Sequence, residues 1–134
     1  MEYKELMEIA ERARSFSYAP YSHFNVGAAL LAKNGKVYTG CNVENATLTP
    51  TVCAERTAFF KAISEGVRQF EALAIVGGKE GEAPVFCAPC GVCRQVMTEF
   101  CEKDFKLVLG TPENFDVYCL DVILPFAFTK KELK

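Results

Sequence analysis

Three cysteines and one glutamate have the types and spacing of a metal-assisted reaction centre: Cys53-Ala54-Glu55, and downstream Pro89-Cys90-Gly91-Val92-Cys93. Thiolates are good zinc ligands, and a zinc ion with three protein ligands keeps a fourth position for a water whose pKa falls to about 7. A structural zinc normally has all four positions filled by protein. Three cysteines with a carboxylate beside them therefore point to catalysis with zinc as cofactor. Glu55 stands where a general acid and base is needed, to take a proton from that water and return it to a leaving nitrogen. A carboxylate near a helix start also complements the helix dipole, and for an isolated glutamate that would be the default reading.

The elements that carry these residues can be read from their flanks. Pro89 suits the first turn of a helix, because its missing N–H would have no partner there and its φ is already helical. Cys90 and Cys93, three apart, then share a face and reach one ion. Thr49-Pro50-Thr51 reads as a second helix start with Thr51 as cap, and the helix continues from Ala54 through Ile63. Two helix N-termini thus point at one metal. Three thiolates around Zn²⁺ leave a net negative charge, which the two dipoles and the adjacent Arg56 offset. Cys87 offers a competing C-x-x-C with Cys90. A shell of Cys53, Cys87, Cys90 and Cys93 would be closed and structural, but only Cys90 and Cys93 lie within the helix predicted after Pro89.

The rest of the chain supplies an α/β frame. Leu6, Ile9, Ala10, Ala13 and Phe16 recur at helical spacing over Tyr3 to Phe16. Val26 to Lys33 and Lys36 to Val43 flank Asn34-Gly35, a two-residue hairpin signal that makes those strands antiparallel. Gly66 ends the Cys53 helix, and Ala72 to Val76 is a short apolar strand without alternation, as when both sheet faces are covered. The Cys90 helix runs to about Cys101, Phe105 to Leu109 is a strand that Gly110-Thr111-Pro112 breaks, and Val117 to Leu124 fits strand or helix. Strand, helix, strand, helix, strand implies a parallel portion with both zinc helices on one face. Gly77-Gly78-Lys79-Glu80-Gly81-Glu82 reads as a surface loop, because it lacks the Gly-Lys-Ser/Thr ending of a phosphate cradle. The charged end, Lys130 to Lys134, reads as a solvated tail or last turn.

With 134 residues the chain is expected to be a single domain, 1–134. Half of it is apolar, yet no uninterrupted apolar run approaches a membrane span. The net charge of −2 with dispersed Lys and Arg provides no footprint for a nucleic-acid polymer. Seven cysteines, an odd number, argue against a disulfide framework. No apolar segment follows Met1, and Glu2 and Glu5 are unlike a targeting peptide, so the expected location is the reducing cytoplasm. Cys41, Cys101 and Cys119 read as small buried hydrophobes. His23, the only histidine, reads as a polar loop residue beside Tyr21 and Phe24.

Cys-Ala-Glu followed by Pro-Cys-x-x-Cys is the three-cysteine form of the zinc nucleoside deaminase signature. The chain resembles the small homotetrameric cytidine deaminases over nearly its whole length. Tyr21-Ser22-His23-Phe24, Val26 to Leu30, Gly40 to Ala46, Cys53 to Ala58, Pro89 to Val96 and Leu124-Pro125 match that family in its order. The resemblance implies a three-layer α/β/α fold around a five-stranded mixed sheet. It implies zinc on Cys53, Cys90 and Cys93, Glu55 as proton shuttle, and hydrolytic deamination of cytidine and deoxycytidine to uridine and deoxyuridine with release of ammonia, in pyrimidine salvage. It also implies that Asn42 and Glu44 hold the ribose hydroxyls, that Phe24 packs on the pyrimidine, that Ala54 contacts the substrate, and that Phe128 reaches a neighbouring subunit's site in a homotetramer. On a strand, Asn42 and Glu44 would face the same side and offer donors and acceptors suited to sugar hydroxyls. Two departures bear on the pocket: Leu48 stands where many relatives have an aromatic residue, and Asn25 replaces a Pro often found after Phe24. A deaminase of another aminated base, such as a blasticidin-type substrate, would share the zinc and the glutamate, but not the need for a ribose-binding pair.

Overall fold

A computed structural model describes residues 1–133. The chain runs α1 (Tyr3–Ala13), β1 (Phe24–Ala32), β2 (Val37–Cys41), α2 (Ala54–Ser64), β3 (Phe70–Lys79), α3 (Gly91–Phe100), β4 (Lys106–Thr111), β5 (Asn114–Cys119) and α4 (Leu120–Ile123). The five strands form one sheet in the order β2-β1-β3-β4-β5. Only β3 and β4 are parallel, pairing Ala72 with Lys106 and Ile75 with Leu109; β1 with β2, β1 with β3 and β4 with β5 are antiparallel.

Side-chain alternation assigns the two faces. Ala28, Leu30, Leu73, Ile75, Leu107 and Leu109 point to the side where Ala58, Phe59 and Ala62 of α2 and Cys93 and Met97 of α3 pack. Ala29, Leu31, Ala72, Ala74, Val76 and Val108 point to the other, where Leu6, Met7 and Ala10 of α1 are buried. Helices therefore cover both faces, which is why the central strands read as continuous apolar runs. The sandwich is a three-layer α/β/α arrangement, and both cysteine-bearing helices lie on one face, as the strand and helix order implies.

Several local expectations need correction. Helix α1 tightens after Ala13 into a 3₁₀ turn, Arg14–Phe16, which swings Phe16 off the buried row and leaves it 80% exposed. The first hairpin turns on Lys33 and Asn34, because Gly35 N–H bonds to the Ala32 carbonyl at 3.0 Å and Gly35, at φ 90°, is the residue past the turn. Three loop residues with a left-handed glycine thus replace the two-residue turn. Strand β3 is longer than Ala72 to Val76: Gly77, Gly78 and Lys79 pair with Val26, Asn25 and Phe24, so the loop begins only at Glu80. Gly110 and Thr111 likewise stay in β4, paired with Phe115 and Asn114, and Pro112, which has no N–H to donate, makes the turn with Glu113. The ambiguous stretch from Val117 is both things in turn, β5 to Cys119 and then one helical turn. A 3₁₀ turn spans Lys130–Leu133, and Lys134 of the expected tail lies outside the described residues. Among the described residues no helix is long and apolar enough to cross a membrane.

Gly40 on β2 sets how closely α2 approaches the sheet. A Cβ there would lie 2.3 Å from the Ala54 carbonyl oxygen and 2.6 Å from the Ala58 nitrogen, both backbone atoms that cannot swing away. Gly40→Ala is therefore expected to push out the N-terminal half of α2, with Cys53 and Glu55 attached. A loss of about 3 kcal/mol is expected, at the upper end of overpacking costs; urea unfolding with zinc content measured on the same sample checks both effects.

Candidate active site and metal centre

Helices α2 and α3 begin at cysteines. Cys53 and Cys90 each have an extended backbone and occupy the N-cap position. Their carbonyls accept the first helical bonds, from Thr57 N–H at 3.1 Å and Arg94 N–H at 3.0 Å. Neither start has a side-chain cap, so both sulfurs stay free for another partner. This corrects two expectations. Thr51 is not the cap: its Oγ1 accepts the Asn45 N–H at 3.1 Å. Pro89 is not in the first turn but one residue before the cap, where its carbonyl accepts Arg94 Nε–H at 2.8 Å.

The sulfurs of Cys53, Cys90 and Cys93 all lie within 4.8 Å of one another. Cys53 to Cys90 is 3.7 Å and Cys90 to Cys93 is 3.5 Å. Cys93 is buried, Cys53 half-buried and Cys90 exposed, so the cluster opens toward solvent at Cys90. Cys87 is outside the cluster, with its sulfur against Gly77 near the Phe24 ring. Burial pushes the Cys87 thiol up to about 11. Arg56 Nη2 lies 3.5 Å from Cys53 Sγ and 3.5 Å from the Thr51 carbonyl oxygen, while its buried Nε has no partner among the described residues.

Glu55 is the buried charged residue of the core, 4% exposed. Burial, with the Cys53 charge adding to it, raises its carboxyl to about 7 against the pull of its own backbone N–H, Cys93 and Arg56. A carboxyl in that range can both accept and release a proton near neutrality.

Asn42 and Glu44, the pair expected to hold sugar hydroxyls, follow β2 rather than lying on it, since the strand stops at Cys41. Asn42 is largely engaged by its own chain: Oδ1 accepts Val26 N–H at 3.0 Å and the Ser17 hydroxyl, and Nδ2 donates to the Phe24 carbonyl at 2.8 Å. One Nδ2 hydrogen is left over. Glu44 Oε1 accepts the N–H groups of Tyr21 at 3.0 Å and Ser22 at 3.1 Å, and Oε2 accepts the Ser22 hydroxyl. A cavity of about 290 Å³ opens here, lined by Tyr21, Ser22, Glu44, Leu48 and Thr51. Leu48 is 67% exposed with a left-handed backbone, φ 71°. Asn25 sits in β1 opposite Gly78, its carbonyl held by Arg14 Nε–H at 3.0 Å. His23 is the expected loop residue, with Nδ1 3.3 Å from Glu80 Oε2.

Phe128 is 58% exposed, and its carbonyl accepts Gln95 Nε2–H at 2.7 Å. Arg94 Nη1–H donates to the Ile123 carbonyl at 2.6 Å. Ser17, Ser22, Arg94 and Gln95 thus bond to the candidate residues or to the chain beside them, although residue chemistry singled out none of them. Ser22, Arg94 and Gln95 do fall inside the matched segments, which was the available signal. Among the packing cysteines, Cys101 sits against the larger core, whereas Cys119 Sγ accepts Lys106 Nζ–H at 3.1 Å and is more than apolar filling.

The cytidine and deoxycytidylate deaminase zinc-binding region matches residues 1–109. The chain belongs to that deaminase family. It is 48% identical over 134 residues to a cytidine deaminase of Sporosarcina psychrophila, covering 99% of this chain and 96% of that one. A cytidine deaminase of Halalkalibacterium halodurans is 47% identical over 135 residues, covering 99% and 98%. The crystal structure of cytidine deaminase from Burkholderia pseudomallei superposes with a TM-score of 0.87 at 45% identity, covering 96% of this chain and 100% of that one.

Zinc, the cofactor of this deaminase family, fits the residues present. Zn–S bonds of about 2.3 Å in a tetrahedral shell place sulfurs about 3.8 Å apart, close to the 3.7 and 3.5 Å found here. The thiols are also prepared for a cation. The neighbouring Cys93 thiol and the Arg56 guanidinium hold the Cys53 thiol below its ordinary value, while Cys53 and burial push the Cys93 thiol up. A divalent ion bound by the three sulfurs would displace their protons.

Proposed function

We propose that the protein hydrolytically deaminates cytidine and deoxycytidine, giving uridine or deoxyuridine and ammonia. The observation that carries this reading is a three-thiol cluster with one buried carboxylate, Glu55, two residues from Cys53. Cys53, Cys90 and Cys93 hold the zinc, whose Lewis acidity makes water a competent nucleophile near neutral pH. Glu55 relays one proton from the attacking water to the ring nitrogen N3 as the C4–O bond forms, and a second from the resulting C4 hydroxyl to the exocyclic nitrogen, so that the C4–N bond breaks, ammonia departs and the C4 carbonyl is left. Arg56, beside Cys53, offsets the negative charge of three thiolates.

The remaining site residues bind and orient. The unused Nδ2 hydrogen of Asn42 is a donor and the carboxylate of Glu44 is an acceptor, a pair that suits a sugar hydroxyl, which both accepts and donates. Such a site penalises ligands lacking the hydroxyl, because its polar groups are then left unpaired. Phe24, half-buried at the start of β1, packs on the pyrimidine, and Ala54, buried beside Cys53, contacts the base side. The exposed Phe128 is assigned here to a subunit boundary of a homotetramer, where it reaches a neighbour's pocket. Seven free thiols suit a reducing cytoplasm, and the proposed reaction on free nucleosides is one of pyrimidine salvage.

The test is ammonia release from cytidine and from deoxycytidine by the zinc-loaded protein, with uridine as competitor. Both nucleosides are expected to turn over, and uridine to inhibit. Absence of ammonia with zinc bound would overturn the reading in favour of another aminated substrate or a structural metal.

A further inference from the structure

We infer that Ser22 is a positioning residue for nucleoside binding, whose hydroxyl joins the Glu44 carboxylate at the sugar end to the Phe24 backbone at the base end. The inference rests on the proposed function and deepens it. The Ser22 hydroxyl donates to Glu44 Oε2 and at the same time accepts the Phe24 N–H at 3.1 Å. A single side chain thus bridges the two residues assigned to opposite ends of the substrate.

The bridge has a specific mechanical use. The last torsion of a glutamate is broad and roughly two-fold, so bonds to one carboxylate oxygen leave the plane of the group free to turn. In Glu44 the backbone N–H groups of Tyr21 and Ser22 both fall on Oε1. The Ser22 hydroxyl is the protein contact on Oε2 and fixes that plane. Of about four acceptor positions on a carboxylate, three are then filled, which leaves room for a ligand hydroxyl. The same hydrogen bond is the foremost cause that lowers the Glu44 carboxyl below its ordinary value, so the group meets a ligand as an acceptor.

The surroundings hold the serine in place. His23, between Ser22 and Phe24, has a left-handed backbone at φ 56°, which a non-glycine residue adopts only where neighbours enforce it. Its N–H bonds to the Ala19 carbonyl at 3.0 Å, and its carbonyl accepts Glu80 N–H at 2.7 Å. Ser22 and Glu44 both line the 290 Å³ cavity, with Thr51 two residues before Cys53.

Ser22→Ala and Ser22→Thr separate this role from general stability. In the alanine variant the KM for cytidine is expected to rise about fivefold with kcat within about twofold, the scale of one ordinary hydrogen bond. Threonine, which keeps the hydroxyl, is expected to restore KM. Independently of activity, the Glu44 carboxyl carbon followed by NMR is expected to titrate at higher pH in the alanine variant and at the wild-type position in the threonine variant. An unchanged Glu44 titration would overturn the link, and so would a shifted titration with unchanged KM, or a fall in kcat at constant KM. A wild type that holds zinc but leaves cytidine intact would instead remove the proposed function, and the substrate role of Ser22 with it. Normal turnover beside an unshifted Glu44 would remove the Ser22 bridge alone.

Discussion

Glu55→Gln is expected to fold, to carry zinc as the wild type does, and to lose about 10²–10⁴ of its turnover, the range general acid and base groups supply. Glutamine is the informative replacement because Glu55 is 4% exposed. An alanine would leave a cavity and confuse loss of packing with loss of chemistry. The amide keeps the volume and a hydrogen-bonding end but cannot cycle a proton. Zinc content and urea midpoint are expected to remain near the wild-type values, and ammonia release from cytidine is the readout. Full activity in this variant would remove Glu55 from the reaction.

Cys90→Ala is expected to lose the metal. Changes to the outer partners of a metal site already cost about 10–100-fold in affinity, and removal of one of three thiolates costs more, so the purified variant should hold little zinc and show no turnover. Cys87→Ala is the control. Its sulfur lies outside the three-thiol cluster, against Gly77, so that variant should keep stoichiometric zinc. Metal analysis of both proteins decides the matter: retention by the first and loss by the second would reassign the ligand set.

The residues proposed to do the chemistry were legible because their constraints are local in type and spacing. Cys53-x-Glu55 and Cys90-x-x-Cys93 announce a metal, and the helix-compatible stretches behind them announce their carriers. Layering was legible too, since Ala72 to Val76 lacks alternation as a doubly covered strand should. Boundaries were less so. Gly77 and Gly78 look like a loop in isolation and are strand only because Val26 and Asn25 pair with them across the sheet, a long-range partnership that composition does not carry. Thr51 resembles a better cap than Cys53 by intrinsic preference. The chain sets that preference aside at both helix starts and uses cysteines there. Asn42 and Glu44 were legible as a polar pair, but their bonds to Ser17, Ser22 and Val26 depend on how the segment before β1 folds back over β2, and nothing in local spacing specifies that fold-back.

The cysteines at the two helix starts have a consequence beyond the reaction. Cys53 and Cys90 are 37 residues apart, and the segment between them contains α2 and β3. An ion that grips both ends closes that span as a staple would. In the unfolded chain such a closure opposes the entropy of a long loop, and a metal that binds the assembled site contributes its binding energy to folding. An ion held there for hydrolysis would therefore also clasp the starts of two helices together, so that a chelator would act on the architecture of this face as well as on its chemistry.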